Sequence, residues 1–120
     1  MNTGTKTLIN TIVESIQDVK GKHIVIANLE KIDDTEYNYL IICDGSSNSQ
    51  ISSIVERVKD EVKSLTNEHP ISIAGQQNAE WVAMDYGDIA VHTFLPDKRE
   101  YYSLESLWAD AKIITVPDLD

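Results

Sequence analysis

The chain is short of several things, and each shortage removes a class of explanation. Among 120 residues there is one cysteine, Cys43, so no internal disulfide can form. Three prolines and five glycines are too few for a collagenous or low-complexity chain. No apolar run approaches the ~20 residues that span a bilayer. The N-terminal MNTGTKTLIN lacks the basic segment and apolar stretch of a secretory signal, which points to a cytoplasmic protein. Basic residues are scarce as well. Ten of them against twenty acidic residues give a net charge of −10, which repels phosphate backbones and disfavours general nucleic-acid binding.

What is present suits one globular domain over residues 1–120, 42% hydrophobic and long enough to bury about two thirds of its chain surface. Leu8, Ile9, Ile12, Val13, Ile16 and Val19 recur at steps of three and four, one helical face, and Gly21 stands where that helix stops. His23–Leu29 and Tyr37–Cys43 are short, apolar and β-branched, and read as buried strands. Asp44 and Gly45 break the second, and Ile51, Ile54, Val55, Val58, Val62 and Leu65 mark a long amphipathic helix, with Ser47 and Gln50 as a capping box. A short strand, Ile71–Ala74, precedes the hairpin WVAMD and DIAVHTFL around Tyr86-Gly87. After Pro96 a short helix is expected, capped by Ser103, with Leu104, Leu107 and Trp108 on one side. The tail from Ile113 either adds an extended segment or hangs free. The order is α, β, β, α, β, β, β, α: an α/β domain with a mixed sheet flanked by helices.

With Tyr86-Gly87 as a two-residue loop, Asp85 faces Asp88 and Trp81 faces His92. One face of the hairpin then carries Val82, Met84, Ile89 and Val91, a core surface. The other carries Trp81, Ala83, Asp85, Asp88, Ala90 and His92. Two carboxylates about 5 Å apart repel by roughly 3 kcal/mol at an effective dielectric of ~20, so the pair calls for a cation, a partner's Arg or Lys, or the turn's own N–H groups. The 41 residues from Glu80 on hold nine acidic and three basic side chains, and six of the eight aromatics. Aromatics within an acidic rim suit an interface with a basic partner; the same aromatics could simply finish the core.

Nucleophilic and metal chemistry find little support. Cys43 ends an apolar strand, and His23, His69 and His92 have no metal-ligand spacing, so no metal and no cofactor is expected. His92 beside Asp88 offers one acid–base pair. The run LIICDGSSNSQISSIV aims the N–H groups of Ser46 to Asn48 at any anion near the helix start, without a P-loop pattern. The alternative reading is therefore a Mg²⁺-dependent, nucleotide-binding or nucleotidyltransferase-like enzyme built on Ser46, Asp85 and Asp88.

Three blocks together carry a resemblance: an N-terminal amphipathic helix, YNYLIICDGSSNSQISSIVERV, and EWVAMDYGDIAVHTFLPDKREYYSLESLW. From about Thr7 to Ala111 the chain resembles the ribosomal silencing factor family, also called Iojap-related. The resemblance implies a nucleotidyltransferase-like α/β fold that works by binding and not as an enzyme. It implies a partner, ribosomal protein fourteen of the large subunit, whose occupation blocks subunit joining and represses translation. It also implies the exposed contact positions: Trp81, Asp85, Tyr86, Gly87 and Asp88 in the hairpin, and Tyr101, Tyr102, Leu104, Leu107 and Trp108 around the short helix. Glu105 joins Asp85 and Asp88 as a partner for Lys or Arg. Where many relatives open the second strand with an Ala-Asp-Tyr type of start, this chain has Tyr37-Asn38-Tyr39. A homodimer off the ribosome is a further expectation.

Overall fold

In the computed structural model, which describes residues 3–32, 35–103 and 111–119, the helical period of the N-terminus becomes α1 (Thr3–Asp18). Its end is a Schellman motif: Gly21 N donates to Ile16 O at 2.9 Å and Lys20 N to Gln17 O at 3.0 Å. The left-handed residue is Lys20, at φ 67°, so Gly21 is required for a different reason. A Cβ there would stand 2.3 Å from Ile16 Cγ2.

β1 (Lys22–Asn28) and β2 (Tyr39–Asp44) form an antiparallel hairpin, bulged between Lys22 and Val25, and β2 is buried at all six positions. α2 (Asn48–Thr66) starts as the sequence predicts, with Ser47 Oγ accepting from Gln50 N. The reciprocal half of the box is shifted: Gln50 Oε1 accepts from Ser46 N, while its Nε2 donates to Val19 O and Lys20 O. One side chain thus ties the end of α1 to the start of α2.

β3 (Ser72–Ala74), β4 (Trp81–Asp85) and β5 (Ile89–Phe94) follow, then α3 (Pro96–Tyr102) and β6 (Lys112–Thr115). The undecided tail is therefore an edge strand, antiparallel to β1. The sheet runs β3-β4-β5-β2-β1-β6, antiparallel throughout except for the parallel pair β2–β5, which confirms the mixed sheet.

Alternation along the strands sorts their side chains onto two faces. Ile24, Tyr39, Ile41, Val82, Met84, Ile89 and Val91 meet the apolar stripes of α1 and α2. The second face holds a smaller cluster of Ala27, Leu29, Leu40, Ile42, Ala90 and Phe94, against which Trp81 packs. α3 closes one end of that face, and no other helix among the described residues covers the rest.

Ahead of Ser103 the chain has a helix that the sequence reading did not separate out, α3. Pro96 occupies its first turn, where a missing N–H costs nothing, and Ser103 is its C-cap at φ 49°. The helix expected from Ser103 on, with Leu104, Leu107 and Trp108 on one side, lies outside the described residues, as does Glu105.

Candidate functional site on the uncovered face of the sheet

The hairpin register settles where the site residues stand. The ladder pairs Trp81 with Phe94, Ala83 with His92 and Asp85 with Ala90, two residues off the sequence-based register. Tyr86 N bonds Ile89 O, so the loop is Gly87-Asp88, with Gly87 at φ 91°, a conformation glycine adopts without strain. A two-residue shift preserves the faces but removes the expected Asp85–Asp88 opposition. Asp85 Oδ1 accepts from Gly87 N at 2.7 Å and its Oδ2 from the Tyr37 hydroxyl at 3.1 Å. The turn's own N–H, one of the groups proposed to meet the carboxylates, thus meets Asp85. Asp88 is exposed in the loop, and its carbonyl accepts from Asn38 N and Tyr39 N, pinning the hairpin tip to β2.

Tyr86 corrects a second expectation. It is 8% exposed and packs with the helix-side core, so it is no surface contact in this fold. Its hydroxyl has no hydrogen-bond partner among the described residues, and burial pushes its pKa to about 12.

Phe94, Trp81, Tyr102 and Tyr101 form a row from core to solvent. Trp81 stacks on Phe94 at 5.0 Å between ring centres, Tyr102 tilts over Trp81 at 4.5 Å, and Tyr101 meets Tyr102 edge-on at 5.1 Å. Tyr101 is 80% exposed and Tyr102 47%, a high exposure for rings that large. Trp81 Nε1 donates to His92 Nδ1 at 2.9 Å, which engages His92 with Trp81 and not with Asp88. Desolvation lowers the His92 pKa to about 4.

Beside this row lies a concavity of about 360 Å³ lined by Tyr37, Leu40, Ala83, Asp85, Ala90 and His92. Its floor is apolar, with one carboxylate and one imidazole on it. The exposed Glu36 also lines it, so the face is acidic as well as aromatic. Burial and the bond to Asp85 raise the pKa of Tyr37.

Ser46 and Asp85, which the nucleotide reading joins, stand apart in the sheet. Ser46 follows the C-terminal end of β2, level with Phe94, whereas Asp85 is level with Ala90 and Leu40. Four residues of strand, about 13 Å, separate the two levels. The Ser46 amide is occupied by Gln50 Oε1. Cys43 is fully buried, which holds its thiol near a pKa of about 12, far from a nucleophilic thiolate. Among the described residues no group of three or more His, Cys, Asp or Glu could hold a metal ion, and no helix is long and apolar enough to cross a membrane.

Sequence reasoning missed one polar cluster. Asp44, 6% exposed, accepts from His23 Nδ1 at 3.1 Å and pairs with Arg99 at 3.5 Å, while Arg99 Nη1 donates to His23 O. This cluster anchors α3 to the end of β2 and so fixes where Tyr101 and Tyr102 stand. A carboxylate closing an otherwise apolar strand was the available signal.

Comparison with known proteins agrees with the resemblance seen in the sequence. The family model described as "Ribosomal silencing factor during starvation" matches residues 2–120. A Ribosomal silencing factor RsfS of Halalkalibacterium halodurans is 34% identical over 110 residues, covering 89% of this chain and 90% of that protein. The mouse protein named "Mitochondrial assembly of ribosomal large subunit protein 1" is 26% identical over 88% of this chain and 46% of its own length. A crystal structure from Chromobacterium violaceum superimposes with a TM-score of 0.81 at 30% identity, covering 87% of this chain and 85% of that one. By sequence and by fold, the chain belongs to the ribosomal silencing factor family.

Proposed function

We propose that the chain represses translation by binding a basic protein of the large ribosomal subunit through the uncovered face of its sheet, without catalysing a reaction. The observation that carries this reading is the exposed row Tyr101–Tyr102–Trp81 beside the Asp85 concavity, on a chain of net charge −10. Aromatic anchors supply desolvated contact, and an acidic rim steers a cationic partner while repelling ribosomal RNA. The partner of that description implied by the family resemblance is ribosomal protein fourteen. Its occupation, at the surface where the small subunit docks, blocks subunit joining sterically.

Asp85, Asp88 and Glu105 are the proposed carboxylates for Lys or Arg, and Leu104, Leu107 and Trp108 extend the apolar contact. Gly87 contributes its turn, which presents Asp88. The same face, left without its ribosomal partner, is where two copies would meet. Family membership supports action where ribosomes work, in the cytoplasm.

The test is co-sedimentation of the purified chain with isolated large and small subunits. Selective pelleting with large subunits, weakened by Tyr101→Ala and by Asp85→Lys, is the expected result. A folded chain that stays in the supernatant at low salt would overturn the proposal.

A further inference from the structure

A second unpartnered surface lies at the far edge of the sheet, on its helix side. β6 is exposed along its whole length, with Ile113 at 44% and Ile114 at 45%. Both are high for branched apolar residues in a strand. The register pairs Ile114 with Ile26, whose side chain packs into the helix-side core, so alternation sends Lys112 and Ile114 to that side. There they join Lys6, Ile9, Ile26 and Tyr39 in lining a groove of about 460 Å³ between α1 and the β1–β6 pair.

The charge of this groove is opposite to that of the molecule. Lys6 and Lys112 stand at its mouth, and neither has an ion-pair or hydrogen-bond partner among the described residues. Glu30, which borders an adjoining hollow with Lys112, is engaged by the Tyr39 hydroxyl. In a chain with twice as many acids as bases, two unpaired lysines over an isoleucine floor form a local positive site. The outer edge of β6 pairs with no strand among the described residues, which leaves backbone N–H and C=O groups on offer. Ala111, immediately before β6, packs on the opposite face.

These features select one kind of occupant. A free strand edge takes extended backbone, an apolar floor takes branched side chains, and two lysines take carboxylates. We propose that the α1–β6 groove docks an extended, acidic segment of a partner protein, which adds a strand outside β6 and sets its carboxylates against Lys6 and Lys112. β6 stands four strand spacings from β4, about 19 Å, and faces the other way from the Asp85 concavity. The two surfaces are separate, so this site does not depend on the ribosomal reading.

The experiment is a titration of the ¹⁵N-labelled full chain with three ten-residue peptides in which Val alternates with Glu, with Gln or with Lys. The Glu peptide is expected to give saturable shifts at 6–10, Ile26 and 112–115. A Lys6→Glu/Lys112→Glu double variant, altered only at surface positions, should bind it at least tenfold more weakly, and Tyr101→Ala should bind it unchanged. Equal binding of the Lys peptide, shifts centred on Trp81 and His92, or no saturable shift up to about 1 mM would each overturn the proposal. A dimer in sedimentation that Ile114→Asp dissociates would assign the groove to a second copy instead, and overturn it too.

Discussion

Trp81 and His92 stand on adjacent strands of the uncovered face, and the indole N–H of one donates to Nδ1 of the other at 2.9 Å. An indole N–H only donates, so His92 Nδ1 holds a lone pair and the ring proton resides on Nε2. The imidazole is neutral while this bond exists. Protonating it would set two N–H groups against each other.

Burial of His92 makes stability pH-dependent in a defined window. The folded His92 pKa of about 4 lies below the ordinary 6.5, so between these values the unfolded chain binds more protons and stability falls as pH falls. The contribution is fully present above pH 6.5 and gone below pH 4, and amounts to about 2–3 kcal/mol after allowance for partial exposure. Urea unfolding at pH 7 and pH 4.5 should show a loss in the wild type that His92→Gln lacks. Identical pH dependence in both would remove His92 as the cause.

The aromatic row separates binding from folding. Trp81 packs on Phe94 in the second-face cluster, so Trp81→Ala should cost about 3 kcal/mol of stability as well as affinity. Tyr101 touches Tyr102 at its edge and is otherwise solvated, so Tyr101→Ala should change stability by less than about 0.5 kcal/mol. If Tyr101 anchors the ribosomal partner, its loss weakens large-subunit binding by roughly 2 kcal/mol, ~30-fold. Thermal unfolding and co-sedimentation of both variants together distinguish the two roles.

Two tyrosines of the helix-side core should respond oppositely to loss of their hydroxyls. Tyr39 donates to Glu30, so Tyr39→Phe should cost about 1 kcal/mol. Tyr86 has a buried hydroxyl without a partner among the described residues, so Tyr86→Phe should be neutral or stabilise by up to about 1 kcal/mol. Denaturant midpoints that move in the same direction would contradict the assignment.

Gln50 should matter more than an exposed helix residue normally does. Its side chain accepts from Ser46 N and donates to Val19 O and Lys20 O, so Gln50→Ala frees three backbone groups. A loss of about 2 kcal/mol is expected, against about 1 kcal/mol for Ser47→Ala, which removes one cap bond. Urea denaturation of the two variants checks the ranking.

Local pattern made most of this legible in the sequence. The stripes of α1 and α2, the apolar run of β2 and the alternation of β4 and β5 all depend on near neighbours, and both faces of the hairpin came out correctly. The register did not, because Tyr86-Gly87 was read as the loop. Placing Gly87 first in the loop, where positive φ is needed, would have given Gly87-Asp88. Pro96 marks the start of α3, in the first turn where its missing N–H costs nothing. β6 was illegible for a different reason: four residues become a strand only because β1, more than eighty residues earlier, offers an edge. The Asp44–Arg99 pair is equally non-local.

The placement of β6 has a consequence for how the chain assembles. β1 and β2 come from the first half, yet their hairpin lies between β5 on one side and β6 on the other, both from the second half. The parallel β2–β5 seam cannot close until some fifty residues have been brought round. Once it closes, the last strand reaches across and grips the first from its far side. Each half is thereby a template for the other, and a chain cut in the turn after α2 would yield fragments whose sheets complete only on meeting.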